Sequence, residues 1–251
     1  MSLGAHLVEL RNRLFISALA IVLGMVVGFI LSDFILSALT QPIADLAAEQ
    51  GREASLNFTD VSSAFDLRIQ IAFTVGVVIS SPVWLYQVFA FVMPGLKKKE
   101  KRYAVGFVCA AVPLFLAGCV AGWFVLPHMV TLLTGFAPEG TTALLTARSY
   151  YDFVLKLVLA IGIAFVLPVF VVLLNFAGVI SAASIIKSWR IAVLVIILFT
   201  AIATPAADVI SMFMLAIPMV ALYFAAVLVA LWHDRIAARR AAVFEAGLSG
   251  A

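Results

Sequence analysis

The sequence predicts an all-α membrane protein of six transmembrane helices, several of them proline-bent and together forming a concave cup. Three observations predict it. Of 251 residues, 65% are hydrophobic and 12% charged, against about 45–50% and roughly 25% in soluble domains. So many apolar side chains cannot all hide in one soluble core, because a globule of this size keeps much of its surface in water. The apolar residues fall in long runs, and the basic residues fall in short clusters between them. The length suits a single membrane domain over 1–251, with no residues left for a second globular unit.

A spanning helix needs about 20 apolar residues. The first run, 14–31, is long enough to span and carries no small-residue cleavage pattern, so it is read as a helix rather than a cleaved signal peptide. The loop over 32–64, with Pro42 and Gly51, is expected to form short helices outside the membrane. The second span covers 65–93 and the third 103–126. Cys109 and Cys119 lie in the third, ten residues apart. On a helix that is about 15 Å, too far for a disulfide, so they read as small packing residues. The loop over 128–151 is expected to turn at Pro138, Glu139 and Gly140. The fourth span covers 153–180. The fifth, 191–203, is short and implies local bilayer thinning or shielding by neighbouring protein. The sixth covers 209–232, and the tail over 233–251, rich in Ala and Arg, is expected to fray. Pro82, Pro113, Pro168, Pro205 and Pro218 lie inside or near spans. Each removes a backbone donor and tends to bend its helix, and bent helices build a curved wall rather than a straight bundle.

Charge sets the orientation, because Lys and Arg in short loops stay cytoplasmic. Arg11 and Arg13 precede the first span. Lys97, Lys98, Lys99, Lys101 and Arg102 separate the second and third. Lys187 and Arg190 separate the fourth and fifth, and Arg235, Arg239 and Arg240 follow the sixth. Six spans with both termini cytoplasmic put all of these on one side, which five or seven would not. The alternate loops carry Asp33, Asp45, Glu49, Glu53, Asp60, Glu139 and Asp208. A net charge of +3 distributed in this way is a topology signal and not a nucleic-acid surface.

Enzyme signatures are missing. The three histidines, His6, His128 and His233, stand far apart, and no HExxH, phosphate loop or GxSxG occurs. No Cys/His cluster suits a metal, and no cofactor is expected. Asp66, Arg68, Asp152 and Lys156 sit near span ends, where long side chains snorkel, rather than at mid-membrane. A secondary carrier of a small solute remains the alternative, although the discontinuous repeat such a carrier uses is not evident. An intramembrane protease would need a nucleophile–base or paired-aspartate set that is absent.

Three segments carry a family signature. The first is His6-Leu7-Val8-Glu9-Leu10-Arg11-Asn12-Arg13. The second runs Tyr86-Gln87-Val88-Phe89-Ala90-Phe91-Val92-Met93-Pro94-Gly95-Leu96 into Lys97-Lys98-Lys99-Glu100-Lys101-Arg102. The third is Thr204-Pro205-Ala206-Ala207-Asp208, followed by Leu215-Ala216-Ile217-Pro218-Met219. In this order and spacing they resemble TatC, the multispanning receptor subunit of the twin-arginine protein translocase, over essentially the whole chain.

The resemblance implies a receptor for twin-arginine signal peptides of folded cargo in the inner membrane of a prokaryote. It would work with TatA- and TatB-like single-span partners and other copies of itself, driven by the proton-motive force. A pair of guanidinium groups calls for carboxylates with fork geometry. Glu100 matches the family's principal carboxylate and Glu9 the second, with Arg13, Phe91 and Pro94 shaping the same site. The surrounding lysines, Lys97, Lys98 and Lys99, are expected to keep each glutamate ionised and to hold it in place until an arginine displaces them. Pro42, Pro82 and Asp208 match structural positions. Thr204 and Met212 fall on the expected partner-docking surface, where relatives also carry a glutamine at the Met212 position. Many relatives place a glutamate or glutamine on the concave face where Val166 stands here, and Asn175 is the nearest polar substitute on that helix.

Overall fold

A computed structural model of the chain describes residues 3–50, 63–92, 101–135, 147–204 and 209–249. Among the described residues there are nine α-helices and no strand: α1 (Leu3–Ile30), α2 (Ser32–Gln50), α3 (Ser63–Ile79), α4 (Ser81–Val92), α5 (Lys101–Gly135), α6 (Ala147–Phe176), α7 (Ala182–Lys187), α8 (Trp189–Ala203) and α9 (Val209–Ser249). In lipid a backbone must satisfy its own hydrogen bonds, so apolar runs of this length fold as helices whatever their propensity. Four of them, α1, α5, α6 and α9, are long and apolar enough to cross a membrane; α3 and α4 together form a fifth such element, and α8 is a shorter apolar helix.

The second expected span is not one rod. It breaks at Ser80 with a bend of 61° between α3 and α4. Pro82 follows the break and has no N–H to give to the preceding turn. The Val77 carbonyl there accepts the Trp84 indole N–H at 2.9 Å, and the Trp84 ring stands edge-on to Phe115. Trp84→Phe removes that donor and is expected to cost about 1 kcal/mol, read as a lower thermal midpoint in detergent. Trp232→Phe, at a side chain 68% exposed, is the matched neutral control.

Small residues set the two tightest helix contacts. Gly24 and Gly28 of α1 lie on Gly76 and Ala72 of α3, so closely that a Cβ on Gly24 would stand 2.8 Å from the Gly76 carbonyl oxygen. Gly118 of α5 lies against Ile161 and Gly162 of α6 in the same way, at 2.8 Å from the Ile161 oxygen. Helices in lipid gain little from apolar burial, so close backbone approach supplies the attraction. Around the second contact sit Phe115 and Ile161, both fully buried, with Phe89 and Leu85 of α4 alongside. A broad apolar hollow of about 480 Å³ opens between α2, α3, α5 and α6, lined by residues such as Leu39, Val75, Val120 and Trp123.

Several expectations need correction. Helix α9 continues to Ser249 instead of fraying after Trp232. Val166 does not face an open concavity; it is 2% exposed inside the α4–α5–α6 core, because the Phe107 and Phe115 side of α5 packs over it. Asn175 does not serve the concave face either. It is 3% exposed and donates to Asp234 and to the Ile180 carbonyl, which ties the end of α6 to α9. Asp66, Arg68, Asp152 and Lys156 are paired as well as peripheral: Arg68 with Asp33 at 2.6 Å, Lys156 with Asp152 at 2.6 Å and Arg148 with Asp66 at 3.5 Å. Gln70 of α3 donates to the same Asp152. The expected turn at Pro138, Glu139 and Gly140 lies outside the described residues.

Candidate functional site

The start of α1 and the end of α4 meet. Glu9 and Arg13 stand one turn apart on α1, with the acid N-terminal to the base, the favourable order for a helical pair. Arg13 Nε and Nη2 both donate to Glu9 Oε1, at 3.0 and 2.5 Å. The third arm, Nη1, crosses to α4 and donates to Gln87 Oε1 at 3.2 Å. Ser17 Oγ donates to the Arg13 carbonyl and closes the same turn.

One oxygen is left over. Glu9 Oε2 is buried and has no hydrogen-bond partner among the described residues. The side chains of Glu9 and Arg13 are 20% and 24% exposed, so the pair is half-hidden rather than a solvated surface bridge. Beside it His6 stacks on Phe91, with ring centroids 4.6 Å apart. Leu10, Leu14, Val88 and Phe91 complete a small hollow of about 70 Å³. It is far smaller than the roughly 300–1,000 Å³ of a small-molecule pocket, so it suits a side chain laid across its rim and not a solute. The hollow presents Arg13, Ser17 and Gln87 beside an apolar rim.

The bend at Ser80 positions Gln87 and Phe91, because it turns α4 towards α1. Of the residues expected at the site, Glu9, Arg13 and Phe91 come together. Pro94 and Glu100 lie outside the described residues, as do Lys97, Lys98 and Lys99. Pro82 stands at the bend and Pro42 within α2. Thr204 ends α8 in an extended conformation, as a residue before proline should, and its buried hydroxyl donates to the Thr200 carbonyl at 2.9 Å. Met212 is half-buried in the first turns of α9. Asp208 lies outside the described residues.

Sequence reasoning quoted Gln87 and His6 within the motifs but gave them no role, since only the fold shows that Gln87 faces Arg13 and His6 faces Phe91. Among the described residues no group of His, Cys, Asp and Glu could hold a metal.

Fold and site define a polytopic helical membrane protein that keeps its charges near helix ends and offers a carboxylate–guanidinium pair at one mouth. The family model for the Sec-independent protein translocase protein (TatC) matches residues 5–218. The TatC protein of Xylanimonas cellulosilytica is 48% identical over 96% of this chain and 88% of its own length. That of Rothia mucilaginosa is 35% identical over 98% and 85%. A crystal structure of the twin-arginine translocase receptor TatC in DDM superposes with a TM-score of 0.75 at 32% identity, covering 90% of this chain and 99% of that one. The chain belongs to the TatC family.

Proposed function

We propose that this protein is the receptor subunit of a twin-arginine translocase, capturing the signal peptides of folded precursors at the inner face of a prokaryotic cytoplasmic membrane. The observation that carries the reading is the largely buried Glu9–Arg13 pair, in which Glu9 Oε2 has no partner among the described residues. A carboxylate oxygen without a donor costs about 1–3 kcal/mol or more, and an incoming guanidinium relieves that cost. Phe91 and the apolar rim beside it supply a surface for the apolar part of the signal. Glu100 provides the principal carboxylate, with Glu9 the second, and Pro94 shapes the same site.

Both termini lie in the cytoplasm in this reading, as the basic clusters require. The protein acts by binding and not as an enzyme. TatA- and TatB-like single-span proteins dock on α8 and the start of α9, near Thr204 and Met212. The exposed Ile191, Leu194, Leu198 and Ile202 of α8 support this. So does its length of 15 residues, about 22 Å of helix against about 30 Å of hydrocarbon. Other copies of the chain assemble with it, and the proton-motive force drives export.

The test is crosslinking of a twin-arginine precursor to purified protein. Strong crosslinking is expected with wild type, and most of it is lost with Glu9→Ala, with Glu100→Ala, or with lysine in place of both signal arginines. Equal crosslinking by all variants rejects the assignment.

A further inference from the structure

We propose that Gln87 is a positioning residue of this site, which leaves the second oxygen of Glu9 without a partner by holding Arg13 away from it. The inference rests on the receptor reading above and deepens it.

Arginine and a carboxylate normally meet fork to fork, with two parallel N–H···O bonds that occupy both oxygens. Here the fork closes on one oxygen only. Arg13 Nε and Nη2 converge on Glu9 Oε1, while Oε2 stays buried and unpartnered. An unpartnered anionic oxygen within reach of a guanidinium is unfavourable unless something holds the guanidinium elsewhere. The remaining arm of Arg13 shows what does: Nη1 is engaged by Gln87 Oε1 at 3.2 Å, from the neighbouring helix. Arg13 is thus anchored between two helices, with its backbone carbonyl held by Ser17. Gln87 sits on α4 one turn before Phe91, which stacks on His6. The helix that sets the apolar rim therefore also sets the charge geometry.

Gln87 suits this task because a neutral amide oxygen accepts from a guanidinium without adding a second anion that would compete for the incoming signal. Without the amide, Arg13 swings onto both oxygens of Glu9 and plugs the acceptor that the signal arginine needs. Gln87 then affects recognition without touching the signal, and it does so only through Arg13.

The experiment measures the affinity of purified protein for a twin-arginine signal peptide across a cycle of Gln87→Leu, Arg13→Ala and the double variant, with Glu9→Ala alongside. Gln87→Leu is expected to weaken binding about tenfold, the value of one hydrogen bond to a charged group. In the Arg13→Ala background the same substitution is expected to change affinity less than about twofold, since the plug is gone. Wild-type affinity in Gln87→Leu, or equal losses in both backgrounds, overturns the proposal, because a general packing defect acts whether or not Arg13 is present. If the leucine variant does not fold, Gln87→Met replaces it in the cycle with the same expected losses and the same outcomes that overturn the proposal. Unchanged binding by Glu9→Ala rejects the receptor site itself; loss with Glu9→Ala but not with Gln87→Leu rejects only the role of Gln87.

Discussion

Gly76→Leu is expected to cost more stability than any other single change discussed here, above about 3 kcal/mol, and to lower the amount of folded protein in the membrane. A Cβ at this position would stand 2.8 Å from the Ile21 carbonyl oxygen and 2.8 Å from the Met25 amide nitrogen. Both are backbone atoms of α1 and cannot turn aside as a side-chain tip can. The helices must therefore separate, and overpacking of a tight contact costs about 1–3 kcal/mol before the lost contacts are added. In lipid no hydrophobic gain restores the pair once it parts, because lipid tails are as apolar as the face they would cover. Helix α1 is exposed to this more than the others: only 11% of its apolar stretch is buried in the bundle, and α3 and α4 are its main neighbours. Since α1 also carries Glu9 and Arg13, loosening it disperses the proposed recognition site. The readouts are the thermal midpoint in detergent, the monodisperse fraction on size exclusion, and signal-peptide binding. Gly106→Leu is the control: its added Cβ meets nothing within 4 Å. If Gly76→Leu unfolds no earlier than Gly106→Leu, the small-residue contact is not what holds α1.

Asp234→Leu is expected to have the second largest effect, about 2–3 kcal/mol, concentrated in α7 and α8. Asp234 Oδ2 accepts the Ala182 amide at 2.8 Å, and Oδ1 accepts Asn175 Nδ2 at 3.0 Å. One carboxylate thus joins the end of α6, the start of α7 and the far part of α9. Charge-assisted bonds are the stronger kind, and removing their acceptor leaves the Asn175 amide, at a residue 3% exposed, with only the Ile180 carbonyl. Asp234 is itself partly open to water, which keeps the figure below that of a fully buried charge. The other tie between α7 and α9 is the Tyr223 hydroxyl, which donates to the Ile185 carbonyl at 2.7 Å. Hydrogen exchange of the α7 and α8 amides is expected to accelerate while α1 and α3 stay protected. Asp234→Asn keeps one acceptor and is expected to lose about half as much. Uniform acceleration over the whole bundle would show that Asp234 supports the global fold and not the α7–α8 hairpin.

Much of this architecture was legible in the chain itself. The apolar runs located the long helices but not their ends, since α1 begins at Leu3 and α9 runs to Ser249; the proline at 82 marked the place where the second run bends. The motifs named Glu9, Arg13 and Phe91 before any contact between them was known. Val166 misled the sequence reading because a helix four apolar on every side gives no periodic signal for which face is inward. Asn175 misled it because its partner, Asp234, is 59 residues away.

What the sequence by itself determined is the membrane habit, the all-helical fold and the residue types where α1 meets α4. These follow from composition and from spacing along one helix, where residues four apart must share a face. Only the tertiary structure decided that Arg13 is shared between Glu9 and Gln87, that one oxygen of Glu9 is buried without a partner among the described residues, and that Val166 is packed away. Those are contacts between helices, fixed by a 61° bend and by glycine pairs that bring backbones together. Spacing along a single chain carries no record of either.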